Sequence, residues 1–184
     1  MDGTPRPVVQ YYLEAGTAQH AEVTWRPAVA PGNHIARLRS VRIIDEHGDV
    51  GFDHDISKPV AVEMQFRVLQ SCDAVDASIH LLNAEGLCLF AVGTAVSPDA
   101  DAERVEPGMY RATCRIPAHL LNDGKHYVSA FVVRNNNDFP VIAREVVSFM
   151  AHDYGTARGG YLGKIIGAVR PLLPWDVERV GEAL

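Results

Sequence analysis

The chain has 184 residues, which is enough to build one domain around a substantial hydrophobic core. Hydrophobic residues make up 47% of it and charged residues 22%, and the formal charge is −6. This acidic balance, with no local cluster of Lys and Arg to offset it, argues against nucleic acid and anionic membranes as partners. The sequence has no signal-peptide layout and no stretch long enough to span a bilayer, so we expect a cytoplasmic protein without membrane insertion.

The N-terminal segment predicts a short helix. The stretch VVQYYLEAG, residues 8–16, places its apolar side chains on one helical face and ends at Gly16. We therefore assign residues 1–20 to a linker that contains this helix. From Trp25 onward the hydrophobic period changes to two, which is typical of β-strands.

The following segments predict an all-β fold. The run VAVEMQFRVL, residues 60–69, places Val60, Val62, Met64, Phe66 and Val68 on one side and Ala61, Glu63, Gln65 and Arg67 on the other, which indicates a half-buried strand. The run LCLFAVGTAV, residues 87–96, is apolar on both faces, which predicts a strand at the centre of a sheet. Because no long helical pattern intervenes, we predict an antiparallel β-sandwich over residues 21–157. The other strand-like runs lie at residues 34–45, 74–82, 109–116, 126–134 and 141–149.

Two turns share one pattern, and one longer segment predicts a crossing between sheets. IIDEHGDV at 43–50 and LLNAEGLC at 81–88 both read apolar-apolar-Asx-x-x-Gly. The Asx side chain caps its own turn and the glycine supplies a left-handed conformation, so we predict two tight hairpin turns. In VEPGMYRATCRIPAHLLNDGKHYVSAFVV, Pro117 ends one predicted strand and Gly124 precedes the next, which predicts a passage from one sheet to the other.

Several of these segments, taken in order, resemble one known family. PGMYRATCRIPAHLLNDGKHYVSAFVV is similar to its pattern of Pro-Gly-x-Tyr, then Ile-Pro, then Leu-Asn-x-Gly-x-Tyr. VVQYYL, Trp25, the IIDEHG turn, NAEGLCLFAVGT and GGYLGKIIGAVRPLLPW agree with it as well. The family is the C-terminal domain of Wzt-type ATPases, the nucleotide-binding subunits of ABC transporters that export O-antigen polysaccharide. The resemblance spans roughly residues 8–175.

The resemblance implies an immunoglobulin-like β-sandwich that binds the growing polysaccharide, at its non-reducing end, and that associates as a homodimer. It also implies the ATPase and membrane subunits of the transporter as indirect partners, at the cytoplasmic face of the inner membrane. The chain contains no G-x-x-x-x-G-K-[ST] phosphate loop, so we expect no ATPase activity from it. Full-length members of the family carry this phosphate loop in an ATPase domain. The chain can therefore be a domain excised from such a protein or a relative that stands alone.

Candidate sugar-binding residues come from the polar faces of two predicted strands and from one loop. Hydroxyls of a sugar pair with amides, carboxylates and guanidinium groups, and an aromatic ring packs on its C–H side. If their strands are neighbours, Gln65, Arg67, Ser78 and His80 would form one patch; the alternative is a solvated sheet face. The loop RNNNDFP offers Asn135 and Asn137 as a rim, or simply makes a turn.

No metal, cofactor or catalytic motif is predicted. DEHGDVGFDHD is acidic, but it lacks the spacing of a calcium loop and offers only His47 and His54 toward zinc. G-x-S-x-G is absent, and no two carboxylates have a context that suggests a shared cleft. The cysteines are odd in number and widely spaced, so we expect buried thiols rather than a disulfide; they are Cys72, Cys88 and Cys114.

The C-terminal extension, residues 158–184, is too apolar for a solvated tail. Its candidate interface residues are Tyr161, Ile165, Val169 and Trp175. The extension can pack on its own sandwich or exchange with a second copy about a Gly159-Gly160 hinge, and the resemblance favours exchange. We therefore predict a non-enzymatic, homodimeric polysaccharide-binding domain, and the alternative is an immunoglobulin-like protein-interaction module.

Overall fold

The computed structural model describes residues 20–96, 105–134, 138–155, 161, 163 and 165–178. The helix predicted at residues 8–16 lies outside this range. The described residues contain one 3-10 turn, Thr94–Val96, and no helix long and apolar enough to cross a bilayer. They form nine strands: β1 Glu22–Thr24, β2 Ala36–Ile44, β3 Asp53–Asp55, β4 Val60–Val68, β5 Val75–Asn83, β6 Cys88–Gly93, β7 Gly108–Ile116, β8 Gly124–Arg134 and β9 Asp138–His152.

The strands build two facing sheets. Sheet A has the order β1-β2-β4-β7 and is wholly antiparallel. Sheet B has the order β3-β9-β8-β5-β6, and its one parallel pair is β3 with β9. The predicted immunoglobulin-like β-sandwich is therefore confirmed, and the short edge strand β3 is the exception to its antiparallel pairing.

Alternation along the strands creates the core. In β4 the residues predicted to face inward, from Val60 to Val68, are all buried against the inner faces of β5, β8 and β9. The opposite face of β4 is also partly covered, since Glu63 is buried there with a charged partner on each neighbouring strand. Burial of apolar area, at about 25 cal/mol per Å², is the main force that holds the two sheets together.

Both predicted hairpin turns are confirmed. The Asp45 carboxylate accepts hydrogen bonds from the backbone N–H of His47 (2.8 Å) and Asp49 (3.0 Å), and Gly48 has φ 89°. Asn83 repeats the arrangement with the N–H of Glu85 and Leu87, and Gly86 has φ 78°. The same short-range hydrogen bonds to Asp49 and His47 hold the pKa of Asp45 below its usual value.

The passage between the sheets is also confirmed. β7 of sheet A ends just before Pro117, and β8 of sheet B begins at Gly124, whose φ is 135°. Between them His119, at φ 59°, donates its N–H to the carbonyl of Ile56. The corner brings Leu120 to the open edge of the sandwich, where it contacts the C-terminal segment.

Strand β6 contradicts its prediction. The run at residues 87–96 was expected at the centre of a sheet, but β6 is the free edge of sheet B and is largely exposed. Both faces of β6 carry apolar residues because each face lines a different cavity. One face borders a cleft between the sheets, and the other borders a groove on the outside of sheet B. Cys88 is accordingly exposed, contrary to expectation, whereas Cys72 is buried and Cys114 half-buried.

The acidic segment DEHGDVGFDHD, residues 45–55, which we call the acidic hairpin, is held by local contacts. Lys58 Nζ lies 2.9 Å from Glu46 Oε1, a pairing that lowers the pKa of Glu46 and raises that of Lys58. His54 turns inward, where its Nε2 hydrogen-bonds the carbonyl of Gly51 at 2.8 Å and its ring meets Phe149 edge-on. Within the residues that the structure describes, no three His, Cys, Asp or Glu side chains form a group that could hold a metal ion.

Candidate functional site

A groove runs along the outer face of sheet B and encloses about 460 Å³. Its polar side comes from β5, where Ala77, Ile79 and Leu81 fill the core and the residues between them therefore point outward. We call this feature the sheet B groove; its wall residues are Asp76, Ser78, His80, Ala91, Val92, Gly93, Ala95, Val96, Phe131, Val133, Pro140 and Ile142.

The floor of the sheet B groove is aromatic. The rings of His80 and Phe131 lie with their centroids 4.3 Å apart and their planes tilted by 37°. Phe131 is only 8% exposed, so His80 presents much of the ring surface that a ligand would meet. An aromatic floor with a hydroxyl and a carboxylate on one side can pack against the C–H face of a sugar and hydrogen-bond its hydroxyls.

The edge strand β6 approaches β5 closely because Gly93 has no side chain. A Cβ at Gly93 would lie 2.9 Å from Cβ of Ser78 and 3.2 Å from the carbonyl oxygen of Ala77. The next residue, Thr94, accepts a hydrogen bond from the N–H of Ala77 (3.1 Å), and its hydroxyl lies 3.4 Å from the Asp76 carboxylate. These contacts of Thr94 with Ala77 and Asp76 fix one wall of the groove and orient the Asp76 carboxylate.

The structure divides the predicted sugar-binding residues between two surfaces. Ser78 and His80 share the sheet B groove, but Gln65 and Arg67 lie on β4, in the other sheet. Strands β4 and β5 are consecutive in the chain but do not pair, because the connection between them crosses the sandwich. The four residues therefore do not form one patch. Asn135 and Asn137 lie outside the described residues.

Two groove residues were not found from the sequence. Asp76 could have been found, because it has the same parity on its strand as Ser78 and His80. Phe131 gave no such signal, since the run HYVSAFVVR is apolar on both faces and its outward residues cannot be told from its inward ones. Pairing in register places Phe131 directly opposite Ser78.

A second cavity, the inter-sheet cleft, lies between the free edges β6 and β7 and encloses about 580 Å³. It is lined by apolar residues from both inner faces, among them Met64, Ile79, Phe90, Val92, Ile116 and Leu120. Cys114 also borders it, and burial raises the pKa of this thiol, so the thiol is kept neutral.

The C-terminal segment is half docked and half exposed. Val169 bridges to Leu121, the N–H of Arg170 donates to the carbonyl of Leu120 at 2.8 Å, and the Arg170 guanidinium pairs with Asp153. Beyond this point the side chains of 171–178 project outward, and Trp175 is 87% exposed. Of the predicted interface residues, Val169 thus pairs with its own sandwich through its backbone only, since its side chain is exposed, as are those of Tyr161 and Trp175; Ile165 is half-buried.

A two-sheet sandwich with a shallow polar and aromatic groove, and with no metal cluster among its described residues, belongs to the class of β-sandwich binding domains. Comparison with known families makes this specific. The chain belongs to the Wzt C-terminal domain family, whose model matches residues 28–149. The family is non-catalytic, and membership identifies the chain as a carbohydrate-binding domain of the O-antigen transporter type.

One solved structure agrees with this fold. The crystal structure of the C-terminal domain of Wzt matches with a TM-score of 0.63 and 14% identity, covering 84% of this chain and 91% of that one. A weaker likeness, with a TM-score of 0.39 and 12% identity, is to a Niemann-Pick type C2 protein from Japanese carpenter ant; it covers 66% of this chain and 95% of that one. No curated protein matches the sequence.

Proposed function

We propose that the sheet B groove binds O-antigen polysaccharide at its non-reducing end and does no chemistry on it. The observation that carries this proposal is the His80–Phe131 platform with Ser78 and Asp76 beside it. A sugar ring stacked on the platform would place its hydroxyls within reach of these two side chains, one of which donates and accepts while the other accepts. Asn135 and Asn137 remain candidates for a rim, since β8 and β9, which their loop joins, both line the groove.

The size of the groove favours a chain end over a long internal stretch. Its volume of about 460 Å³ falls in the range of about 300–1,000 Å³ that is typical of pockets for small ligands. Each sugar hydroxyl exchanges water for protein hydrogen bonds at a net gain of only about 1 kcal/mol, so the affinity of one groove would be modest. Binding of a finished chain end would present it to the transporter's ATPase and membrane subunits at the cytoplasmic face of the inner membrane.

The C-terminal segment supports a homodimer as part of this function. Residues 171–178 carry four exposed large apolar side chains: Leu172, Leu173, Trp175 and Val177. The inter-sheet cleft is apolar, and Leu120, which anchors Arg170, also lines it. We propose that these residues of one copy fill the cleft of a second copy, with Tyr161 and Ile165 near the exchange point. Two grooves in one dimer would raise the avidity for polymer arrays.

The dimer is tested by light scattering at micromolar concentration. The wild type should have the mass of a dimer, and deletion of residues 171–184 or the change Trp175→Ser should yield monomer. Val29→Ser is the matched control, because Val29 is an exposed apolar residue that does not line the cleft. A monomeric wild type would refute the exchange.

The alternative function is a protein-interaction module, and one observation favours it. The apolar run from Leu172 to Val177 would suit the hydrophobic centre of a protein interface as well as a second copy. A monomeric wild type that shows no heat with polysaccharide would support this alternative.

The proposed function is tested by calorimetric titration with O-polysaccharide, before and after removal of its non-reducing terminal residue. We expect heat from the intact polymer and none from the trimmed one. His80→Ala should lower the affinity about three- to tenfold, which is the value of one aromatic contact. His47→Ala is the control, since His47 is an exposed histidine on the acidic hairpin. Equal heat from the trimmed polymer would refute end recognition, and no heat from either would refute the function.

A further inference from the structure

The outer face of sheet A gathers arginines in a chain whose net charge is −6. Five arginines from three neighbouring strands point to this side, against the carboxylates of Glu22 and Glu63 on the same face. The sequence suggested no basic cluster, because the five are spread over almost eighty positions and meet only through strand pairing. We call this surface the arginine face; its arginines are Arg37, Arg42, Arg67, Arg111 and Arg115.

A buried carboxylate holds the centre of the arginine face. Oε1 of Glu63 lies 2.9 Å from Nε and Nη2 of Arg42 and 3.5 Å from Nε of Arg111. The amide of Gln65 lies 3.4 Å from the same oxygen. Glu63 is 8% exposed, and its two 2.9 Å contacts fix the guanidinium of Arg42, which is 29% exposed, while Arg111 beside it is 63% exposed to solvent. A fixed guanidinium loses little conformational freedom when it binds an anion.

The remaining arginines repel one another. Arg37 and Arg67 are directly opposite in the register of β2 and β4, a placement that destabilises a sheet when the charges are alike. Arg37 relieves part of this by donating to the carbonyl of Pro27 at 2.7 Å. Within the described residues, neither Arg67 nor Arg115 forms an ion pair, and both are exposed. An anion placed on this face would remove the repulsion.

The form of the face indicates the kind of partner. Hydroxyls and an amide lie among the arginines, from Thr24, Gln65 and Thr113, whereas Ser40 on the same face is buried. The exposed large apolar residues near this face, Met109 and Leu69, lie at its edge, so its described residues lack the apolar centre that protein interfaces have. Arg111 and Arg115 stand four residues apart on β7, or roughly 13 Å, which an extended polymer can bridge and a small anion cannot.

We infer that the arginine face is a second binding site, for carboxylate or phosphate groups carried along an extended polysaccharide. Guanidinium groups bind both kinds of oxyanion through paired hydrogen bonds, and the hydroxyls and amide between them suit the neighbouring sugar hydroxyls. Gln65 and Arg67 would thus contact polysaccharide on this face, away from Ser78 and His80. The inference rests on the proposed function in one respect, namely that the anionic polymer is a polysaccharide.

The test uses the full chain with polygalacturonate, and with the same polymer after complete methyl esterification, which removes its charge. The charged polymer should bind, with affinity that falls as salt is raised through about 0.1 M, while the esterified polymer should not. Arg67→Gln and Arg115→Gln should each lower the affinity about two- to fivefold. Arg144→Gln is the control, because Arg144 is an exposed arginine on sheet B and its loss changes the net charge equally.

Several outcomes would overturn the inference. It fails if the charged polymer does not bind, or if all three arginine variants bind it alike. It also fails if vesicles of phosphatidylglycerol, or poly-glutamate, bind this face more tightly than polygalacturonate, since the partner is then a membrane or a protein. His80→Ala separates the two sites: it should weaken O-polysaccharide binding and leave polygalacturonate binding unchanged. Failure of the O-polysaccharide titration alone refutes the proposed function and leaves the anion site standing.

Discussion

Replacing Glu63 with glutamine removes the charge that holds the centre of the arginine face together. The two side chains have nearly the same shape, so the change tests the charge and not the packing. Glu63 is almost fully buried, and its carboxylate meets Arg42 at 2.9 Å and Arg111 at 3.5 Å. Without it, both guanidinium groups lose their counter-charge, and Arg42 donates at best to a neutral amide oxygen instead of a carboxylate.

The magnitude follows from the exposure of the partners. Breaking a fully buried ion pair by removing one partner costs about 3–5 kcal/mol, because an uncompensated charge is left in the interior. Here Arg42 is 29% exposed and Arg111 is 63% exposed, so water can solvate them once the carboxylate is gone. We therefore expect Glu63→Gln to lower the free energy of unfolding by about 2 kcal/mol. In a domain of this size that is a fall of roughly 4–8 °C in Tm.

Urea denaturation followed by circular dichroism measures this change. Glu22→Gln is the matched control, because Glu22 is an exposed residue of the same face and also pairs in register with Arg42; it should stay within about 0.5 kcal/mol of wild type. Arg42→Gln combined with Glu63→Gln should cost less than the sum of the two single changes. An unchanged urea midpoint for Glu63→Gln, or strict additivity in the double variant, would refute this account of the ion pairs that Glu63 makes with Arg42 and Arg111.

Three further predictions concern glycines and a buried histidine. Gly93→Ala should cost about 1–3 kcal/mol in thermal denaturation, because its Cβ would meet Ser78 at 2.9 Å, whereas Gly51→Ala, with nothing nearer than 3.5 Å, should not show this penalty. Gly86→Ala should cost about 1 kcal/mol through its φ of 78° alone, and Gly86→Asn should recover most of this; equal stability of the two variants would contradict the explanation. Burial lowers the pKa of His126 below 6.5, so the unfolded chain binds a proton that the folded chain resists, and the free energy of unfolding should fall as the pH drops from about 6.5 toward the lowered pKa. His126→Gln should flatten this dependence, and an unchanged slope in that variant would show that other groups cause it.

The sequence alone determined those features that depend on neighbouring residues. The side-chain period of two assigned the core face of β4 correctly, because every second residue of a strand points the same way wherever that strand lies. The turns at Asp45 and Asn83 were predicted for a similar reason: the cap and the left-handed glycine lie within four residues of each other. Pro117 and Gly124 marked the crossing between sheets because proline has no N–H to donate to a strand partner and glycine can adopt a positive φ.

Tertiary structure alone decided which strands became neighbours. Parity tells which side chains share a face of one strand, but it does not say to which sheet that strand belongs, and so Gln65 and Arg67 were placed with Ser78 and His80. The edge position of β6 and the pairing of Phe131 with Ser78 have the same origin. So has the arginine face, whose members come together from three strands of an acidic chain. Pairing joins residues that are far apart in sequence, and its free energy comes from packing over the whole core, which no local pattern records.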